Sequence, residues 1–214
     1  MNVVVVIAHP DDEVLGCGGT IAKLGDEGHH VSVLLATRRC DPRGVSHWSA
    51  LIDAFRVSCR ILCAQAVVAE PLLDETEAEP AVHKLHNIIL PHVERAERVL
   101  THWPGDVNQV HRGVARAVEI ATRPFRRRRD VSCFEIQTST DQAFGGAGAL
   151  AFHPTEYVVL DETQARRKCE ALTKYGAELV PGRMTEDVER RMRQRGAEIG
   201  ATYAEAFVVA RRFS

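Results

Sequence analysis

One imidazole and three carboxylates stand together in His9-Pro10-Asp11-Asp12-Glu13, the densest concentration of reactive side chains in the sequence. A cluster of negative charge repels phosphate. Gly16, Gly18 and Gly19 follow too late to form a glycine cradle ahead of it, so a cation is the natural guest. His9 and Asp12, three positions apart, can face one ion, and imidazole nitrogen and carboxylate oxygen are both acceptable donors to zinc. A third donor is required. A second polar cluster offers two candidates, His102 and His111, within Thr101-His102-Trp103-Pro104-Gly105-Asp106-Val107-Asn108-Gln109-Val110-His111-Arg112. Either one completes a set of two histidines and one carboxylate. Such a set leaves a tetrahedral zinc one open position for water, as in catalytic rather than structural sites.

These clusters need a scaffold that brings them to one edge. Val3 to Ala8 is an unbroken apolar, mostly β-branched run ending before Pro10, the pattern of a strand buried on both faces of a parallel sheet. Asp11 to Asp26 follows with helical spacing, acids in its first turn and glycines near its end. His30 to Ala36 predicts a strand, Trp48 to Cys63 a helix, Ala66 to Val68 a short strand before an acidic loop around Asp74, and Glu79 to Glu94 a helix despite Pro91. Arg98 to Thr101 is then a strand, His102 to Asp106 a turn and Asn108 to Thr122 a helix. Val131 to Ile136 and Tyr157 to Leu160 are further strands, separated by a loop from Gln137 to Phe152 long enough to carry function. Helices over Ala165 to Leu179 and Thr185 to Ile199 and a closing strand or helix end over Ala204 to Val209 complete the chain. Strands and helices alternate throughout. That alternation predicts an α/β fold, a Rossmann-like three-layer sandwich with a mostly parallel sheet, whose ligands sit beyond the carboxyl ends of the strands. The 214 residues are expected to form a single domain over 1–214.

Composition narrows the partners. A formal net charge of −2 gives no general attraction to nucleic acid or an acidic membrane. The arginine run Arg126 to Arg129 reads as a solvated loop, since no aromatic platform accompanies it. No stretch approaches the roughly 18 apolar residues of a membrane helix, and Met1 to Ala8 lacks the basic start of a signal peptide. The six cysteines show no spacing of a zinc ribbon or redox pair. A cytoplasmic protein without membrane insertion is expected, with oligomeric state left open and a homo-oligomer compatible with the sequence.

The two clusters also carry a resemblance. With Ala8-His9-Pro10-Asp11-Asp12-Glu13, Asp106-x-Asn108-x-x-His111-Arg112, Phe134-Glu135-Ile136 with Ser139-Thr140, and Tyr203-Ala204-Glu205-Ala206-Phe207, the chain resembles the zinc-dependent N-deacetylases of the PIG-L and LmbE-like family, nearly end to end. The resemblance implies His9, Asp12 and His111 as ligands of one zinc ion, another divalent transition metal being the alternative. It also implies Asp11 as general base, Asn108 as donor to the oxyanion, and a metal-dependent amidohydrolase acting on an N-acetylated amino sugar. His102 and Asp106 are assigned to substrate binding. The chain departs from the family where many members have a histidine at the position of Asn108 and an aspartate at that of Val110, a pair in which the acid keeps the imidazole charged. An arginine and a glutamate common on the second helix are replaced by Leu51 and Ala54. Two other functions compete. A non-haem iron oxygenase also uses two histidines and a carboxylate, but on β-rich scaffolds and with no duty for Asp11. A non-catalytic metal- or sugar-binding module would need no open coordination position beside Asp11.

Overall fold

The run Val3 to Ile7 forms strand β1 (Asn2–Ile7), and successive side chains point to opposite faces. Val3, Val5 and Ile7 enter one apolar core and Val4, Val6 and Ala8 enter another. A strand so placed must lie mid-sheet. It pairs in parallel with β2 (His30–Arg38) on one side and β4 (Arg98–His102) on the other. The computed structural model describes residues 1–125, 127–144 and 150–214; Arg126 and part of the loop expected from Gln137 to Phe152 lie outside the described residues.

Among the described residues the strands form one seven-stranded sheet. Its order is β3 (Gln65–Asp74), β2, β1, β4, β5 (Asp130–Phe134), β7 (Tyr203–Arg211) and β6 (Glu156–Leu160). Only β7 runs antiparallel to its neighbours. Helices α1 (Asp12–Asp26), α2 (Pro42–Ile61), α6 (Glu162–Leu172) and α7 (Thr185–Ala197) supply Val14, Phe55, Leu172 and Met192 to the first core. Helices α3 (Val82–Val93) and α4 (Gln109–Ala121) supply Ile89 and Val114 to the second. The chain runs from β1 outward to β3, then returns to β4 on the other side of β1. That reversal opens a crevice beyond the carboxyl ends of β1 and β4, where open α/β sheets bind ligands.

Helix α1 must lie close to the sheet to present its first turn there. A Cβ on Gly16 would fall within 2.3 Å of the Phe134 ring, so only glycine permits the approach. The helix breaks at Cys17 (φ −145°, ψ 26°), which leaves backbone groups on both sides of the break without helical partners. A buried ion pair satisfies them. Lys168 Nζ donates to the Leu15 carbonyl at 3.0 Å and to Glu205 Oε1 at 2.6 Å. The Glu205 carboxylate in turn accepts from the Gly19 and Thr20 amides at 2.9 and 2.7 Å.

Several expectations are corrected in detail. Helix α2 begins at Pro42, earlier than Trp48, because Asp41 caps it by accepting from the Gly44 amide at 3.2 Å and proline is tolerated in the first turn. Strand β3 runs through Pro71 to Asp74 because it lies at the sheet edge, where a missing N–H is harmless. The helix expected to reach Leu179 stops at Leu172 and continues as a 3₁₀ turn over Thr173–Glu178. Arg129 is not solvated. It is 3% exposed, and its guanidinium donates to the Val93, Glu94 and Arg127 carbonyls, two of them at the end of α3. No helix among the described residues is long and apolar enough to cross a membrane.

Candidate metal centre

Past β1 the chain turns sharply, with Asp11 at φ 107°, a value rarely adopted outside glycine and costing about 1–3 kcal/mol. The turn is held from both sides. The Asp11 amide donates to Glu13 Oε2 at 3.2 Å, and its carbonyl accepts from the Val14 and Leu15 amides. Glu13 is fully buried, and its Oε1 accepts the Ser58 and Tyr175 hydroxyls, each at 2.6 Å. Burial pushes the Glu13 carboxyl up to about 7 even so. Glu13 therefore fixes the turn from below.

The turn aims Asp12 at three imidazoles. Its Oδ2 accepts the His9 amide at 2.7 Å and lies 3.5 Å from His9 Nδ1, while Oδ1 lies 3.4 Å from His111 Nε2. Bonds of about 2.0–2.1 Å in a tetrahedron set donor atoms about 3.3 Å apart, close to these separations. One donor atom from each of His9, Asp12 and His111 falls within 4.8 Å of the others. The remaining nitrogens face carboxylates: His9 Nε2 lies 3.1 Å from Glu75 Oε2, and His111 Nδ1 lies 3.4 Å from Asp106 Oδ2. Outward carboxylates of this kind orient metal-binding histidines. The donor set thus fits zinc or a related divalent ion.

The charges are tuned accordingly. Burial disfavours the Asp12 carboxylate, but the facing His111 and His102 outweigh it and hold the group well below its ordinary range. Burial likewise opposes charge on His9, yet Asp12 and Glu75 raise it to about 9, and the His9 contact holds Glu75 near 2. Asp11 moves the other way. Burial and the nearby Asp12 charge raise it to about 8, against the pull of Arg183, whose Nη1 lies 3.2 Å from Asp11 Oδ2.

His102 and Asp106, expected at the substrate, both lie against His111. His102 is 0% exposed, stacks on the His111 ring at 4.1 Å and accepts the Ala8 amide on Nε2 at 3.1 Å. Burial lowers it to about 4, so the ring is neutral, and its Nδ1 has no partner among the described residues. Asp106 is buried too. Its Oδ2 accepts the Ser139 and Thr140 hydroxyls at 2.9 and 2.7 Å beside His111 Nδ1, and Oδ1 accepts the Asn108 amide at 2.8 Å. Asn108 caps α4, its Oδ1 accepting from the Val110 amide at 2.8 Å. Val110 and Leu51 lie in the two cores and Ala54 packs against the first, which accounts for their apolar character.

Glu75 and Arg183 were not singled out by the sequence. Glu75 lies in the acidic loop at Asp74, far along the chain from His9, and Arg183 follows Pro181-Gly182, a turn signal with no short-range link to Asp11.

Comparisons with known proteins give the family and the fold. The PIG-L family profile, described as GlcNAc-PI de-N-acetylase, matches residues 4–122, just over half of the chain. The sequence has no significant match among curated proteins. Among solved structures it is similar to the zinc-inhibited form of teicoplanin deacetylase (TM-score 0.76, 14% identity, 100% of both chains). It is also similar to the N,N'-diacetylchitobiose deacetylase of Pyrococcus horikoshii (TM-score 0.70, 18% identity, 97% of this chain and 83% of that one). The 4-carboxy-2-hydroxymuconate hydratase of Pseudomonas putida has the same fold as well (TM-score 0.68, 18% identity, 100% of this chain and 97% of that one).

Proposed function

Because the chain belongs to the PIG-L family, that of GlcNAc-PI de-N-acetylase, we propose that it is a metal-dependent hydrolase that removes the N-acetyl group from a small molecule containing an amino sugar. The observation that carries this reading is the convergence of His9, Asp12 and His111 on one point beside Asp11. Zinc is the favoured ion, with another divalent transition metal as the alternative. Held by these three residues, it would act as a Lewis acid toward water and the amide carbonyl.

The remaining chemistry belongs to the chain. Amides combine a weak electrophile with a poor leaving group, so a proton must leave the attacking water and reach the departing amine. Asp11 is the group for both transfers, because burial and Asp12 raise its proton affinity toward neutral pH. Glu13 keeps Asp11 in its unusual backbone conformation. Asn108 commits its carbonyl oxygen to the α4 cap and keeps its amide N–H groups as donors for the oxyanion. His102, Asp106 and Glu75 fix the imidazoles and are not substrate contacts.

A hydratase shares this fold, so the test must separate amide hydrolysis from water addition to a double bond. The metal-loaded protein is incubated with N-acetylated sugars, nucleotide sugars and glycoside intermediates, and in parallel with unsaturated carboxylates. Release of acetate, lost in Asp11→Asn, is the expected result. Consumption of the unsaturated acids alone would overturn the proposal.

A further inference from the structure

The candidate centre is crowded with negative charge. Asp11, Asp12, Asp106 and Glu75 all lie at or behind it, and amide hydrolysis adds another anion as the carbonyl becomes tetrahedral. Asn108 offers only a neutral donor, and Val110 next to its cap is apolar and buried, so a histidine-like charge has no support there. The other arginines near the crevice are engaged: Arg39 between Asp41 and Glu178, and Arg112 between Glu79 and the Asp106 and Val107 carbonyls.

Arg183 is placed differently. Its Nη1 meets Asp11 Oδ2 at 3.2 Å and its Nε donates to Thr138 Oγ1 at 2.8 Å, while Nη2 has no partner among the described residues. The side chain is 24% exposed rather than sealed in the core. Its backbone is anchored. Gly182, at φ 89°, donates to Asp187 Oδ2 at 2.8 Å and its carbonyl accepts Gln137 Nε2, and a Cβ there would come within 2.9 Å of the Thr138 methyl. Thr138 belongs to the short helix α5 (Gln137–Thr140), whose next residue, Ser139, lies 3.5 Å from His111 Nδ1. The guanidinium thus bridges the proposed base and the helix that backs the ligand His111.

We propose that Arg183 is a catalytic residue that supplies the permanent positive charge for the tetrahedral oxyanion, through the guanidinium N–H groups that Asp11 and Thr138 leave free. The inference rests on the deacetylase reading. Because guanidinium stays charged at any working pH, it needs no acidic neighbour, consistent with the apolar Val110.

The test compares the parent with Arg183→Met and Arg183→Lys, each loaded with metal. Two probes are used: N-acetylglucosamine, and its methylphosphonamide analogue, in which a tetrahedral anionic phosphorus replaces the acetyl carbonyl carbon. Loss of an oxyanion donor typically costs about 100- to 1,000-fold in kcat. Arg183→Met should therefore lower kcat by about 100-fold or more with little change in KM, and weaken analogue binding by a similar factor while leaving N-acetylglucosamine binding unchanged. Arg183→Lys should recover part of both. A Met variant that keeps the kcat and analogue affinity of an active parent would overturn the inference and leave the deacetylase reading standing. A Met variant with lowered kcat but unchanged analogue affinity would reduce Arg183 to a positioning residue for Asp11, which also overturns it. A parent that neither hydrolyses N-acetylated sugars nor binds the analogue would remove the deacetylase reading itself, and the inference with it.

Discussion

At the scale of single residues, the site separates groups that act from groups that hold. Asp11 is proposed to act and Asp12 to bind, although the two are adjacent, because the turn at φ 107° sends one carboxylate toward Arg183 and the other toward the imidazoles. Asp11→Asn should lower kcat by roughly 100- to 10,000-fold with metal content unchanged at one ion per chain, whereas His9→Ala with His111→Ala should lose the ion. Elemental analysis beside initial rates separates the two outcomes. Asn108 needs a subtler comparison, since Asn108→Ala removes the α4 cap as well as the proposed donor. Cap loss alone costs about 1 kcal/mol. Asn108→Asp keeps the acceptor for Val110 and loses the donor, so it should melt like the parent and still turn over slowly; parental kcat in Asn108→Asp would leave the oxyanion to other groups. Proton linkage adds a further expectation for the metal-free protein. His9 is raised from 6.5 to about 9, so its contribution to stability is complete below pH 6.5 and disappears as pH rises through 9. Asp11 and Glu13, also raised, change stability in the same direction. Metal-free protein should therefore lose several kcal/mol of stability, on the order of 10 °C of melting temperature, between pH 6.5 and 9. Metal affinity should rise over the same window as His9 gives up its proton. Melting curves that stay flat with pH would contradict this account of His9.

At the scale of elements, the centre depends on where two helices begin. Helix α1 carries Asp12 in its first turn, and the break at Cys17 lets that turn meet the sheet while the rest of the helix follows a different line. Lys168 and Glu205 close the break, both nearly fully buried. Removing one member of a buried pair strands the other, at about 3–5 kcal/mol. Lys168→Met should accordingly lower the melting temperature by roughly 10 °C, far more than any change at the exposed Arg166, and differential scanning calorimetry reads the difference directly. Helix α4, capped by Asn108, carries His111 in its first turn, while Asp106 accepts the Asn108 amide and faces the His111 ring. Cap and ligand are thus set by one short stretch.

At the scale of the whole molecule, the sheet order places the carboxyl ends of β1 and β4 side by side at the reversal of winding, and both clusters hang from those two ends. The two apolar cores lie on either face of the sheet and contain none of the three candidate ligands. Metal removal should then abolish activity without unfolding the chain. A chelated sample is expected to keep its far-UV circular dichroism and to regain activity when zinc is returned in equimolar amount; loss of the helical signal on chelation would mean that the ion is structural.

The sequence by itself determined what depends on short spacing. The buried run of β1, the helix after it, the alternation that makes an α/β sandwich and the approach of His9 to Asp12 all follow from residues a few positions apart, where chain geometry alone decides who can meet. Tertiary structure decided the rest. Spacing alone left His102 and His111 as equal candidates and the family resemblance chose His111; in the folded chain both rings turn Nε2 toward Asp12, but that of His102 also takes the Ala8 amide and its ring is enclosed against Phe134, while His111 groups with His9 and Asp12. Glu75 meets His9 across 66 positions, Tyr175 meets Glu13 across 162 and Arg183 meets Asp11 across 172. Hydrophobic periodicity specifies which face of an element is buried but not which distant side chain lies beyond it, because such contacts are set by how the finished layers stack. The antiparallel course of β7 belongs with these, since its apolar pattern is the same in either direction and only its pairing with β5 and β6 gives the strand a sense.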